Sequence, residues 1–254
     1  MLLQDNGSRS SKQVEFSNHS SGKRVVGAFD GPDISSLGGI VLLGELEQRL
    51  KLVAKAAQSL RESRSRPVYT MYCLLLQRVL LICAGLEHGL HTNYYRHDPA
   101  VLTAMGLNLQ IQQLASQPLI STFETGMSGR NCYRLAMFLL HFYIQTRRRV
   151  PKEIILDLDG SCFPVHGRQQ GSAYRGHYET DMYFPLLVFD QDGWLITAIL
   201  RPGDEGEARM AVPVLDRIVK AFRKAWPFVR IIVRADAGFN SPKLYDWCED
   251  QGND

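Results

Sequence analysis

Asp157 and Asp159 stand two positions apart in Ile155–Ser161, ILDLDGS, and Asp236 closes a second apolar run, IIVRAD. A carboxylate ending a buried strand costs solvation free energy unless a partner or a reaction uses it. Two chemistries would use these. One carboxylate can attack a substrate as a nucleophile. Alternatively, two carboxylates from neighbouring strands can hold a divalent cation whose charge offsets their repulsion. With hard oxygen ligands and no His or Cys cluster, that cation is Mg²⁺ or Mn²⁺ rather than zinc. A pair of such ions, roughly 3.5–4 Å apart, activates water or a 3′-hydroxyl and stabilises the leaving oxygen at phosphorus.

The elements that position these acids decide between the two. Residues 1–22 are rich in Ser, Asn and Gly without a sustained period, and read as a disordered tail. From about 40 to 147 the period is helical. Leu42, Leu43, Leu46, Leu50 and Val53 fall on one helical face, and residues 71–86 form an apolar central helix. Asp98 before Pro99, and the Ser128 of SGRN, are start signals. At Pro151 the pattern turns extended: EIILDLD, then YFPLLVFD and WLITAIL around a QDG turn, then FVRIIVRAD after a helix that carries Val212, Leu215, Ile218, Val219 and Phe222 on one face. Phosphatases of the haloacid dehalogenase type open with the same letters and use the acid at the Asp157 position. They need parallel strands joined through helices, whereas here a hairpin follows the first strand. A first strand, a hairpin, a helix and a fourth strand match a ribonuclease H-like core, in which the fourth strand lies parallel to the first. That order brings Asp159 and Asp236 side by side, with Asp157 as the fallback. The expected class is α+β: an all-α part over 23–150, then a ribonuclease H-like mixed α/β core over 151–254.

Charge is unevenly spread along the chain. Residues 1–150 carry 17 Lys+Arg against 10 Asp+Glu, and residues 151–254 carry 12 against 16. A basic module beside an acidic one suits a polyanion-binding part joined to a cation site. Five scattered cysteines with no CxxC pair point to reduced thiols. No secretory signal or membrane span is evident, so the expected location is a cytoplasm.

Several separated blocks resemble bacterial insertion-sequence transposases of the DDE class, insertion sequence 1380 type. LDLDGSCFPVHGRQQGSAYRGHYETDMYFPLLVFD resembles that family's catalytic start, L-D-x-D-x-[TS] followed by P-x-H-G-x-Q. WPFVRIIVRADAGFNSPKLYDWCEDQG resembles its second acidic block, R-A-D-[SA]-x-[FY]. FDGPDISSLGGIVLLGELEQRL, YYRHDPAVLTAMG and LASQPLISTFE resemble its helical N-terminal part, so the likeness covers about residues 24–252. The resemblance implies a ribonuclease H-like DDE domain, Asp159 and Asp236 as the first two catalytic acids and metal ligands, Mg²⁺ or Mn²⁺ as cofactor, and DNA as substrate: the element's terminal repeats and a target. A homodimer is a possible assembly. In the family a third acid, a Glu, follows a further strand. This chain stops at Asp254 before it, and Glu249 is a surface residue of a short helix. The resemblance therefore implies a partial transposase, with a non-catalytic DNA-binding relic as the alternative.

Secondary candidates for DNA contact are Ser121 and Thr122 on a short helix, the basic run Arg147, Arg148 and Arg149, and His166, Arg168 and Gln169 after the first strand. Each has a plainer role: packing, a helix C-terminus, or turns at Gly167 and Gly171. Trp226 and Trp247 are expected in the core.

Overall fold

The computed structural model describes residues 14–16, 25–27, 34–107, 112–167 and 169–252. In chain order these begin with β1 (Val14–Phe16) and β2 (Val25–Gly27). Helices α1 (Ile40–Leu50), α2 (Leu52–Ser59), α3 (Met71–Cys83), α4 (His91–Tyr94), α5 (Pro99–Ala104), α6 (Gln117–Thr125) and α7 (Gly129–Thr146) follow. Then come β3 (Glu153–Gly160), β4 (Phe163–Pro164), β5 (Ala173–Arg175), β6 (Thr180–Tyr183), β7 (Leu186–Asp190) and β8 (Leu195–Ile199). The last are α8 (Ala211–Ala225), β9 (Arg230–Ala235), a 3₁₀ turn at Ala237–Phe239, and α9 (Pro242–Asp250). The chain divides into two compact units, residues 1–51 with 73–122 and residues 52–72 with 123–254.

In the first unit β1 and β2 pair antiparallel. β1 falls inside the stretch read as a tail, whose other residues lie outside those described. The Asp98 carboxylate caps α5 by accepting from the Val101 amide, as its type and place predict. Residues 40–53 depart from expectation. Lys51 adopts a left-handed φ of 53° and breaks the helix, so Val53 belongs to α2. Leu42, Leu46 and Leu50 are exposed, while Ile40, Gly44 and Glu47 are buried. The reason is steric: α1 packs on α5 through Gly44, which faces the Ala104 backbone more closely than a leucine could. In α3, Leu74, Leu76, Leu80 and Leu81 are buried, and so is Gln77. Its amide donates to the Ala115 carbonyl and accepts from the Ala115 amide, at 3.0 and 2.8 Å, so its burial leaves no orphan.

In the second unit the main sheet runs β8-β7-β3-β9. β3 is antiparallel to β7 and parallel to β9, and β7 is antiparallel to β8. Gly193 turns the β7–β8 hairpin at φ +80°. This is the ribonuclease H-like order expected from the sequence. The antiparallel β3–β7 pair removes the all-parallel phosphatase alternative. One face of β3 buries Ile154, Leu156 and Leu158 against Val214, Leu215, Ile218, Val219 and Phe222 of α8. Pro213 sits in the first turn of that helix, where a missing amide hydrogen costs nothing. Trp226 is in this core and Trp247 packs against it. Although α7 precedes Pro151, it packs here too: Leu140 and Tyr143 join the core, and the Thr197 hydroxyl donates to the Ala136 carbonyl. A small sheet β4-β6-β5 lies between β3 and β7 in sequence, where only turns had been read.

Candidate functional site

The register of β3 against β9 fixes which charges meet. Asp157 stands opposite Arg234 and Leu158 opposite Ala235. One step further along both strands come Asp159 and Asp236. Asp157 forms a two-pronged ion pair with Arg234, using both carboxylate oxygens. That pair holds the Arg234 guanidinium still more firmly protonated. Asp159 is exposed and, among the described residues, accepts only from the Ser161 hydroxyl, at 3.0 Å. Asp236 is also exposed; it caps the 3₁₀ turn by accepting from the Gly238 amide at 2.8 Å. Neither acid has a cationic partner among the described residues. Two like charges thus sit at adjacent strand ends, oriented by neutral donors.

An unforeseen loop joins the surroundings of the two acids. Arg201, only 2% exposed, follows β8. Its Nε donates to the Phe184 carbonyl at 2.8 Å, and its Nη1 to the carbonyls of Gly206, Glu207 and Arg209 at 3.3, 2.7 and 2.8 Å. Burial lowers its proton affinity; Arg175 adds to that, while Glu205 and Glu207 oppose it. Gly160, next to Asp159, has no room for a side chain, since a Cβ there would lie 2.6 Å from the Phe184 ring. Arg175 stacks on the same ring at 3.9 Å. At the other acid, the Glu207 carboxylate occupies the space where Gly238 would carry a Cβ. Sequence reading missed Arg201 and Glu207. By sequence, EARM belongs to the helical stretch that follows, and nothing local marks a buried arginine.

The family model of the transposase DDE domain, group 1, matches residues 17–254. The chain belongs to that family. No curated protein matches. Among solved structures, a Mos1 transposase paired-end complex with the left transposon end is similar at 14% identity and TM-score 0.28, over 76% of this chain and 60% of that one. The Mos1 strand transfer complex is similar at 14% identity and TM-score 0.28, over 87% and 77%. This chain therefore spans under two thirds of the first. The fold assignment rests on the strand order above, not on these.

The remaining candidates of this DDE domain scatter. Arg147 turns inward, pairs with buried Asp190 and lies over the Tyr143 ring at 4.3 Å. Asp190 also accepts from the Tyr143 hydroxyl at 2.8 Å and from the Asp192 and Trp194 amides. Burial, then the hydrogen bond to Asp190, raises the Tyr143 pKa. Arg148 and Arg149 are exposed. His166 and Gln169 are exposed on the segment after β4, and Arg168 lies outside the described residues. Ser121 and Thr122 sit on α6, where the Thr122 hydroxyl bonds back to the Pro118 carbonyl at 2.8 Å. No helix among the described residues is long and apolar enough to cross a membrane.

Can the acidic pair hold a cation? The described residues contain no group of three or more His, Cys, Asp or Glu side chains suited to one. Mg²⁺ does not require such a cage. It is commonly held by one or two carboxylates, with waters and substrate phosphate oxygens completing the shell. Two exposed, cation-free carboxylates at adjacent strand ends fit that requirement.

Proposed function

We propose that this DDE domain is the catalytic part of a DNA transposase, of the insertion sequence 1380 type suggested by its motif blocks. It would hydrolyse a phosphodiester at an element end, and the freed 3′-hydroxyl would then attack a target phosphodiester in line, forming a new ester bond as the target strand's own 3′-oxygen leaves. The observation that supports this reading is the β3–β9 register: its last pair is Leu158 with Ala235, so Asp159 and Asp236 each follow it by one residue, while Arg234 neutralises Asp157. Asp159 and Asp236 would hold Mg²⁺ or Mn²⁺. Bound there, the cation would supply positive charge for the phosphate oxygens and lower the pKa of a water or 3′-hydroxyl. Ser161 and the Gly238 amide orient the two carboxylates without neutralising them. Their exposure leaves the phosphodiester free to approach.

We assign recognition of element ends to the helical stretch 23–150 and chemistry to 151–254. Exposed Arg148, Arg149, His166 and Gln169 are candidate DNA contacts, with Ser121 and Thr122 on α6. A homodimer and a cytoplasmic, nucleoid-associated location belong to the same reading. The test is nicking of a supercoiled plasmid carrying the element ends, by a protein that carries the family's third acid as well. Nicking should require Mg²⁺ or Mn²⁺, stop with a chelator, and vanish in Asp159→Asn and Asp236→Asn. Nicking that survives in both variants, or no nicking with either metal, would overturn the reading.

A further inference from the structure

We propose that a cleft at the start of α7 is a second DNA-contact site, a seat for backbone phosphates built from Arg61, Arg130 and Arg134. The cleft has a volume of about 600 Å³ and is lined by those three arginines with Ser63, Ser128, Gly129 and Asn131. No carboxylate lines it. The acid next to Arg61 in sequence, Glu62, is already neutralised: Arg64 grips it through Nε and Nη2 and lowers its pKa by hydrogen bonding. Arg61 and Arg130 have exposed side chains without an ion pair among the described residues.

One buried polar side chain builds this arrangement. Asn131 is 5% exposed. It accepts from the Arg61 amide at 3.1 Å and donates to the Arg61 carbonyl at 3.0 Å, pinning that residue's backbone to the first turn of α7. The same carboxamide oxygen accepts from Arg134 Nη1 at 2.9 Å. Two arginines far apart in sequence are therefore fixed by a single amide, and Arg130 is its chain neighbour. Three cations gathered this way repel one another, and an anion would relieve that cost. The positive end of the 18-residue α7 adds to the same field. Guanidinium is the group that best matches phosphate oxygens. A preorganised cluster in an open cleft suits the repeating phosphates of a duplex backbone, read without regard to sequence.

This inference rests on the reading that the protein handles DNA, and its test separates the two. Binding of a 30-base-pair duplex of arbitrary sequence is followed by fluorescence anisotropy from 50 to 300 mM KCl, without divalent metal. In Arg61→Gln/Arg130→Gln the slope of log K against log salt should flatten by about 2, with affinity down on the order of tenfold at the lowest salt. Arg61→Lys/Arg130→Lys should keep most of the slope. An unchanged slope in the double Gln variant, or no salt-dependent duplex binding by the wild type, overturns the inference. If that slope is unchanged while the plasmid is still nicked, the cleft fails and the proposed function stands. If the slope flattens but no metal supports nicking, the cleft stands and the catalytic reading fails.

Discussion

Three aspartates on one sheet illustrate different fates of a buried-strand carboxylate. Asp190, at the end of β7, is closed off by Tyr143, Arg147 and two backbone amides. Asp157 is closed at the surface by Arg234 across the parallel ladder. Asp159, two residues further along β3, has no cationic partner among the described residues, and it and Asp236 each follow the last β3–β9 pair by one residue. Asp157 and Asp159 differ by one pleat on the same face. What distinguishes them is the residue that β9 brings opposite. A carboxylate with its counter-charge built in is structural; one without it is open to a cation from outside, the role proposed above for Asp159.

The largest effect that would sharpen this contrast is on the open pair. Asp236→Asn should reduce metal-dependent nicking by on the order of a thousandfold or more, while thermal stability holds or rises slightly as repulsion is removed. A lower melting temperature together with full nicking would reverse the assignment. Next comes the buried closed site. Asp190→Ala strands Arg147 and the Tyr143 hydroxyl, and should cost about 3 kcal/mol in urea unfolding. A loss below about 1 kcal/mol would show that Asp190 is not closed as described.

A smaller effect is a matter of pH. The Tyr143 pKa is raised in the folded state, so its contribution is fully present below the unfolded tyrosine value near 10 and is lost as pH rises toward the folded one. Wild-type urea midpoints should therefore fall between about pH 10 and 11 more steeply than those of Tyr143→Phe. Parallel curves would contradict that coupling. The smallest effect belongs to Asp157→Asn. The Asp157–Arg234 pair lies at the surface and is screened by solvent, so the urea midpoint should barely move and nicking should continue near the wild-type rate. Loss of nicking there, with Asp159→Asn still active, would exchange the roles of the two acids.

The strand ends were legible because apolar runs ending in acids are rare and the strand order leaves few ways to pair them. The hairpin and the inner face of α8 were legible for a similar reason: Gly193 and a 3.6-residue period each encode a local geometry. The inner face of α1 was not. Leu42, Leu46 and Leu50 have the right spacing, but the contact that decides is the bare backbone of Gly44 against Ala104, which hydrophobicity does not register. Arg147 shows the same limit, since a basic cluster gives no sign of which member an aspartate 43 residues later will draw inward. The Arg61–Asn131 clamp spans 70 residues and was equally hidden.

Arg201 has a consequence for motion. One buried side chain ties its own loop to the Phe184 carbonyl, and that loop lays Glu207 over Gly238 beside Asp236. The end of β3 and the end of β9 are thus fastened to one strap rather than fraying separately. In hydrogen exchange, the amides around Gly160 and around Gly238 should open as a single cooperative unit with a shared free energy.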